Sequence, residues 1–176
     1  MNKDLEIMNH TMQDWMKKSE KYSEELIHFQ ADGKEWSLQQ VLHHISQIQD
    51  SVEEVIAKIL TKQETLRDTT LKNWFRYFIL KLALASNKKF EVPKMLPAPE
   101  NNMTLDEVRQ EWNESYVRFD ALLKNFPKKL EDKLIFRHPR IGWININQTL
   151  GFMLDHMKHH QKQIESLYSQ LDLKMK

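Results

Sequence analysis

The sequence predicts an all-α protein, and the simplest architecture is a four-helix bundle with one long crossover between its second and third helices. Four long segments carry apolar residues at gaps of three and four, the spacing of an amphipathic helix. Only three of 176 residues are glycine, whereas Leu, Lys, Glu and Gln, which favour helices, are frequent. We expect one domain over residues 1–176.

The first two helices are read from two apolar stripes. The first covers residues 5–29 and is broken by Asp32 and Gly33. Ser37 is expected to cap the second helix, because its hydroxyl can accept a hydrogen bond from an otherwise unpaired amide. The second stripe then follows at helical spacing: Val41, Ile45, Ile48, Val52, Val55 and Ile59.

A region of different character separates the second helix from the third. Leu71–Ala85 is expected to form a short helix. Residues 90–102 contain Pro93, Pro97 and Pro99, so an extended crossover is expected there. Basic and aromatic residues alternate over residues 71–89, a pattern found in segments that bind membranes or nucleic acid. We favour a helix packed on the bundle or on a second subunit, with its lysines outward.

The last two helices also have recognisable starts. Thr104 and Glu107 resemble a capping box, and Pro127 is expected to end the third helix. Residues 135–142 are expected to be irregular. Asn145 or Asn147 is expected to cap the fourth helix, whose inward residues are Ile146, Leu150, Met153, Met157, Ile164, Leu167 and Leu171.

Composition excludes several classes of function. The chain has no cysteine, which excludes disulfides, thiolate metal sites and a cysteine nucleophile. It has no glycine-rich phosphate loop. The formal net charge is +1, so we expect no nucleic-acid partner. No apolar run approaches the roughly 20 residues that cross a bilayer, and the N-terminal residues lack a signal-peptide pattern, so a cytoplasmic protein without a membrane partner is expected.

Histidines on two helices carry the functional prediction. His44 is three residues after Val41 and four before Ile48, so it should face the apolar stripe, whereas His43 should face water. His156 and His160 are one turn apart on the fourth helix, and such a pair can converge on one metal ion. The spacing leaves two interpretations open: a three-histidine metal site, or three core-edge histidines satisfied by carboxylates or carbonyls.

Three blocks of sequence resemble the DinB/YfiT-like superfamily. Residues 36–45, WSLQQVLHHI, are similar to its W-S-x-x-E-V-L-x-H-[LI] block, and residues 138–148, HPRIGWININQ, are similar to its second block. His156-x-x-x-His160-x-x-Gln163-Ile164 is similar to its closing H-x-x-x-H-x-x-Q-I motif. The blocks occur in the family's order within residues 5–168. One difference is Gln40, which stands where the family often has Glu.

The resemblance implies a four-helix bundle of DinB/YfiT-like topology and a frequent homodimer. It implies one divalent metal ion, nickel, zinc or iron, held by His44, His156 and His160. Gln163 is a candidate to orient a metal-binding imidazole, and Trp143 is a candidate wall of a substrate pocket. No other catalytic residue is assigned.

The resemblance also implies two kinds of reaction on a small-molecule substrate. Family members include metal-dependent hydrolases and transferases of low-molecular-weight thiols such as bacillithiol. The leading prediction is therefore a metal-dependent enzyme that activates a small thiol or water, a thiol S-transferase or a hydrolase. The alternative is a non-catalytic, stress-related helical-bundle protein that keeps the metal as a structural element, and Gln40 favours this alternative slightly.

Overall fold

A computed structural model of the chain describes residues 2–31, 33, 35–62, 66–86 and 99–175. These residues form six α-helices: α1 (Lys3–Ser19), α2 (Glu24–Ile27), α3 (Leu38–Leu60), α4 (Leu71–Ala85), α5 (Leu105–Lys124) and α6 (Ile146–Lys174). The predicted all-α class is confirmed. Within these described ranges, no helix is long and apolar enough to cross a membrane.

The helix starts follow the capping chemistry that the sequence predicts. On three helices the cap side chain accepts a hydrogen bond from the amide three residues on, and that residue's side chain accepts one from the amide of the cap. These pairs are Ser37 with Gln40 on α3, Thr104 with Glu107 on α5, and Asn145 with Gln148 on α6. Of the two candidate caps for the last helix, Asn145 is therefore correct.

The prediction of one helix over residues 5–29 is wrong, because helix α1 ends at Ser19. Ser23 caps the short α2 by accepting from the amide of Leu26. The break turns Tyr22 inward: its ring stacks on Tyr168 at 5.9 Å between centroids, and its hydroxyl donates to Asp172 over 2.7 Å. Tyr22 is therefore buried as its spacing predicts, but it lies in the turn between α1 and α2 rather than in a helix.

Helices α3 and α5 run parallel along a polar contact. Near one end, His43 of α3 lies against Glu111 of α5. Further along both helices, Asp50 and Glu53 pair with Arg118. The residue numbers of the contacting positions therefore increase together along the two helices, which makes them parallel. Two parallel neighbours need a connection that returns along their length, and the segment between α3 and α5 contains α4.

Helix α4 also runs parallel to its neighbour α6. Lys81 lies 3.9 Å from Asp155, and the Leu84 carbonyl is 3.1 Å from Nδ1 of His159. The predicted short helix at Leu71–Ala85 is confirmed. The predicted extended crossover falls on residues 90–102, of which 90–98, with Pro93 and Pro97, lie outside the described residues, while Pro99 is buried.

The prediction of an irregular segment at 135–142 is wrong in part. Strands β1 (Phe136–His138) and β2 (Gly142–Ile144) form an antiparallel hairpin directly before α6. Gly142 has φ +81°, a conformation that side chains other than glycine rarely adopt. The hairpin was hard to foresee because each strand has only three residues.

The core lies where the apolar stripes of α1, α3, α5 and α6 meet. Its largest fully buried side chains include Met8, Met12, Leu42, Ile56, Trp112 and Phe119. Helix α4 contributes Leu80 and Leu84 to the core but leaves large apolar side chains exposed: Leu71, Trp74, Phe75, Phe78, Ile79 and Leu82. This exposed face distinguishes α4 from the other helices.

Candidate metal centre

Helices α3 and α6 bring His44, His156 and His160 together. One ring nitrogen from each lies within 4.8 Å of the others. The ring centroids are 5.3 Å apart for His44 and His156, 5.2 Å for His44 and His160, and 4.6 Å for His156 and His160. The pair on α6 converges because residues four apart share a helix face. The expected inward orientation of His44 is also found, since it is only 4% exposed.

Gln163 fixes the proton on one of these rings. Its Oε1 lies 2.9 Å from Nδ1 of His160, and a carbonyl oxygen can only accept, so Nδ1 carries the hydrogen. Nε2 of His160 therefore presents a lone pair toward the centre of the cluster. This contact is the one expected of a residue that orients a metal-binding imidazole.

The nitrogen spacing fits a metal ion. Nε2 of His160 and Nε2 of His156 are 3.2 Å apart. Two nitrogens bound tetrahedrally at about 2.0–2.1 Å from one ion would be roughly 3.3 Å apart. Neutral imidazoles suit nickel, zinc and iron in particular, whereas calcium and magnesium prefer oxygen. The three histidines could thus hold a divalent ion of the predicted kind.

Burial keeps the three imidazoles neutral, as metal ligands must be. It lowers the pKa of His44 to about 3 and that of His160 to about 4, although the hydrogen bond to Gln163 raises the latter. Burial also lowers the pKa of His156 well below its ordinary value, and the neighbouring histidines act in the same direction. The rings therefore offer lone pairs at neutral pH.

Two aromatic side chains border the cluster. The Trp36 ring lies 4.9 Å from that of His44, and the Phe152 ring lies 5.7 Å from that of His156. The sequence alone assigns Trp36 no part in the site. Its position just before the cap Ser37 could have indicated more, because an apolar residue there commonly folds back on the first turns of the helix.

His43 does not face water as predicted. It is 8% exposed, and its Nε2 lies 3.4 Å from Oε2 of Glu111. The prediction assumed that only one side of α3 is covered. Helix α5 packs along the second side, so Gln39 and His43 are buried there as well.

Neither Trp143 nor His159 belongs to the three-histidine cluster. Trp143 is on β2 with 42% of its area exposed, and its carbonyl accepts from Nδ2 of Asn73. Its role as a pocket wall stays a prediction. His159 donates through Nδ1 to the Leu84 carbonyl and so faces α4.

Gln40 is occupied by the start of α3. Its Oε1 accepts from the Ser37 amide over 3.0 Å and from Nε2 of Gln30 over 2.9 Å. Its Nε2 donates to the Pro99 carbonyl over 2.8 Å. A glutamate could not make this last bond unless it were protonated. The difference from the family pattern therefore has a structural use in this chain: it ties α3 to the segment that precedes α5.

A sequence profile of the DinB superfamily matches residues 9–164, nearly the whole chain and all three motif blocks. The resemblance drawn from those blocks is thereby confirmed. No curated protein and no solved structure matches the chain.

Proposed function

Because the chain belongs to the DinB superfamily, we propose that His44, His156 and His160 bind one divalent metal ion, namely nickel, zinc or iron. The observation that carries this proposal is the convergence of three ring nitrogens within 4.8 Å of one another. Among the described residues, the inner Nε2 of His160 has only the imidazole of His156 as a polar partner, at 3.2 Å, and no carboxylate or carbonyl. A metal ion is the group that three such lone pairs fit.

The neighbouring residues have distinct parts in this proposal. Gln163 holds the His160 ring in the tautomer that points Nε2 inward. Trp36 and Phe152 border the rings and limit the access of water. Restricted water strengthens every charge interaction at the site, because the local dielectric falls. These residues prepare the site, while His44, His156 and His160 are the proposed ligands.

We propose further that the protein is a metal-dependent thiol S-transferase or hydrolase. A divalent ion on three neutral ligands supplies a Lewis acid that favours the anionic form of a thiol or of water near neutral pH. The chain has no cysteine, so a thiol must come from a small molecule. The described residues offer three nitrogens and no fourth ligand, a set typical of catalytic rather than structural zinc sites.

A non-catalytic metal-binding protein is the second candidate, and one observation favours it. The causes of the lowered pKa values of His44, His156 and His160 include no carboxylate among the described residues. Gln40 supplies none either, and its amide is committed to Ser37, Gln30 and Pro99. A general base would then have to come from the substrate or solvent.

The two candidates separate in an activity panel. Metal-loaded protein is incubated with bacillithiol, glutathione or cysteine and an epoxide or chlorinated acceptor, and separately with activated esters and amides in water. The His156→Ala, His160→Ala variant is the blank. Thiol-dependent turnover that this variant loses supports transfer, and thiol-independent turnover supports hydrolysis. Equal rates for both proteins across the panel would contradict the enzyme and favour the binding protein.

We also propose that α1, α3, α5 and α6 form the superfamily's four-helix bundle, with α4 in the crossover. The parallel contact of α3 with α5 supports this arrangement. An antiparallel contact of α1 with α5 supports it too: Asn9 accepts from Trp112, while Glu20 pairs with Arg109. A solved structure with a different helix order would contradict it.

A homodimer through α4 completes the proposal. Leu71, Phe75, Phe78 and Leu82 form one exposed stripe at helical spacing. Large side chains that are half exposed leave on the order of 100 Å² each, so the apolar residues of α4 offer roughly 600 Å², close to the ~800 Å² per partner of a stable interface. Light scattering should show a dimer for the wild type and for Leu173→Glu, a control at an exposed position of α6, but a monomer for Phe78→Glu. A monomeric wild type would contradict it.

A further inference from the structure

A shallow cavity between α4 and the β1–β2 hairpin is lined by three arginines. Its volume is about 330 Å³, at the lower end of the range for small-ligand sites. The arginines are Arg76 from α4, Arg137 from β1 and Arg140 from the hairpin turn. The other lining residues are Ile79, His138, Pro139, Ile141 and Gly142, none of which is acidic. The cavity therefore concentrates positive charge.

The basic side chains that line this cavity are arginines rather than lysines. The chain contains twenty lysines but only six arginines. Three of the six arginines line the cavity, while no lysine in the described part of the chain does. A guanidinium presents a planar fork of donors that matches phosphate and carboxylate oxygens, whereas a lysine presents a point charge. This composition favours an oxyanion over general attraction of counter-ions.

The hairpin and α4 bring the guanidinium groups together. Nη1 of Arg76 lies 3.7 Å from where a Cβ on Gly142 would be, so this side chain reaches across to the hairpin. The amides of Arg140 and Ile141 lie 3.2 and 3.4 Å from Nδ1 of His138 and donate to it, which fixes the turn. Within the described residues, neither Arg76 nor Arg137 forms an ion pair with a carboxylate.

We propose that Arg76, Arg137 and Arg140 form a binding site for a phosphate monoester or inorganic phosphate. Among the described residues no acidic side chain lines the cavity, and guanidinium groups from α4 and the hairpin match a phosphate dianion better than a single carboxylate ligand. The site is distinct from the histidine cluster: His138 and His156 contact the same Phe152 ring, at 4.5 and 5.7 Å between centroids, so one phenyl ring separates the two. The phosphate can belong to a soluble molecule or to a lipid headgroup, since the chemistry recognised is the same.

Calorimetric titration with inorganic phosphate tests the proposal, at constant ionic strength and with chloride as the competing salt. We expect one site per chain and at least tenfold weaker binding in Arg76→Gln, Arg137→Gln. A matched control, Lys3→Gln, Lys17→Gln, removes the same charge from exposed positions on α1 and should bind as the wild type does. The His156→Ala, His160→Ala variant should also bind phosphate, which separates this test from that of the metal centre.

Further variants and probes complete the test. Arg137→Lys keeps the charge and removes the fork, so it should weaken binding even if the double variant folds poorly. Vesicles of phosphatidylcholine with and without phosphatidic acid then identify the source: co-sedimentation that depends on phosphatidic acid and on the arginines indicates a headgroup, and its absence indicates a soluble phosphate. No phosphate binding by the wild type, or equal loss in the arginine and lysine variants, would overturn the proposal.

Discussion

Helix α3 presents two adjacent histidines to two different neighbours. His44 faces α6, where His156 and His160 surround it. His43 faces α5, where its nearest polar partner is the carboxylate of Glu111. Both rings are buried, at 4% and 8% exposure, so burial does not distinguish them. What differs is the chemistry of the partners.

On the α5 side, groups of opposite kind meet. His43 meets an acid, and further along Asp50 and Glu53 both pair with Arg118. The α6 side gathers three imidazoles, of which His156 and His160 have their Nε2 atoms 3.2 Å apart, and no described carboxylate joins the cluster. Opposite partners indicate a structural contact, whereas a cluster of like, lone-pair donors indicates a missing ligand. The predictions below test this distinction.

The largest expected effect separates the two neighbours. His44→Ala should lower metal affinity by more than the roughly 10–100-fold that follows loss of a ligand's hydrogen-bond partner. His43→Ala should keep one ion per chain but lower the free energy of unfolding by about 1–3 kcal/mol, because it removes a buried, paired side chain. Equilibrium dialysis and denaturant unfolding measure the two quantities. Metal loss in His43→Ala alone would reverse the assignment of the faces.

Metal removal should lower the stability only of a protein that keeps His156 and His160 on α6. An ion that binds the folded chain alone adds about 2.7 kcal/mol when its free concentration is a hundred times the dissociation constant. Chelator should therefore lower the melting temperature of the wild type and leave His156→Ala, His160→Ala unchanged. The difference should shrink in acid, as protons compete for the imidazoles. Equal sensitivity of the two proteins would place the ion elsewhere.

Gln163 offers a smaller and more specific perturbation. Gln163→Leu removes the acceptor for Nδ1 of His160, so metal affinity should fall by about tenfold or more. The unpaired N–H should also lower the free energy of unfolding by about 1–3 kcal/mol. Gln163→Glu keeps an acceptor and should restore most of the affinity. The control is Gln161→Leu, on the same helix, whose amide donates to the exposed Glu165. If the Gln163→Leu and Gln161→Leu variants behaved alike, Gln163 would have no orienting role.

His138 shows what burial does to a histidine outside the cluster. Burial lowers its pKa to about 4, with Arg140 acting in the same direction. The unfolded chain therefore takes up a proton below about pH 6.5 that the folded chain resists until about pH 4. Its contribution to stability is complete above that window and is lost as pH falls through it.

The measurement is unfolding free energy against pH in chelator, so that metal release does not contribute. Between pH 6.5 and 4, the slope for His138→Asn should be shallower than that of the wild type by up to about 1.4 kcal/mol per pH unit. Asparagine keeps an acceptor for the turn amides. His10→Asn, at an exposed position of α1, is the control substitution. An unchanged slope in His138→Asn would contradict the lowered pKa.

The sequence was sufficient for helices α3, α4, α5 and α6 and for the helix faces of the three cluster histidines, because these depend on local periodicity. Spacing placed His44 between Val41 and Ile48, and the His156–His160 pair on one face, and the structure brings these together. Capping residues marked the starts of α3, α5 and α6. These features require only neighbours along one helix.

The missed features depend on contacts between distant segments. The burial of His43 needs knowledge that α5 covers a second side of α3, and the use of Gln40 needs the Pro99 carbonyl, 59 residues away. The break at Ser19 depends on the pairing of Tyr22 with Tyr168 and Asp172. The hairpin's strands are too short to show a period. The spacing of apolar residues predicts which face of a helix is buried, whereas the element that packs against that face is known only from the tertiary structure.

Metal content combined with X-ray absorption at the metal edge tests the central claim most directly. Untagged wild-type protein and the His44→Ala, His156→Ala, His160→Ala variant are loaded with nickel, zinc or iron, dialysed and compared. The account predicts one ion per wild-type chain with three imidazole nitrogens in its first shell, and none in the variant. Equal metal content in the two proteins, or a wild-type ion without imidazole neighbours, would contradict it.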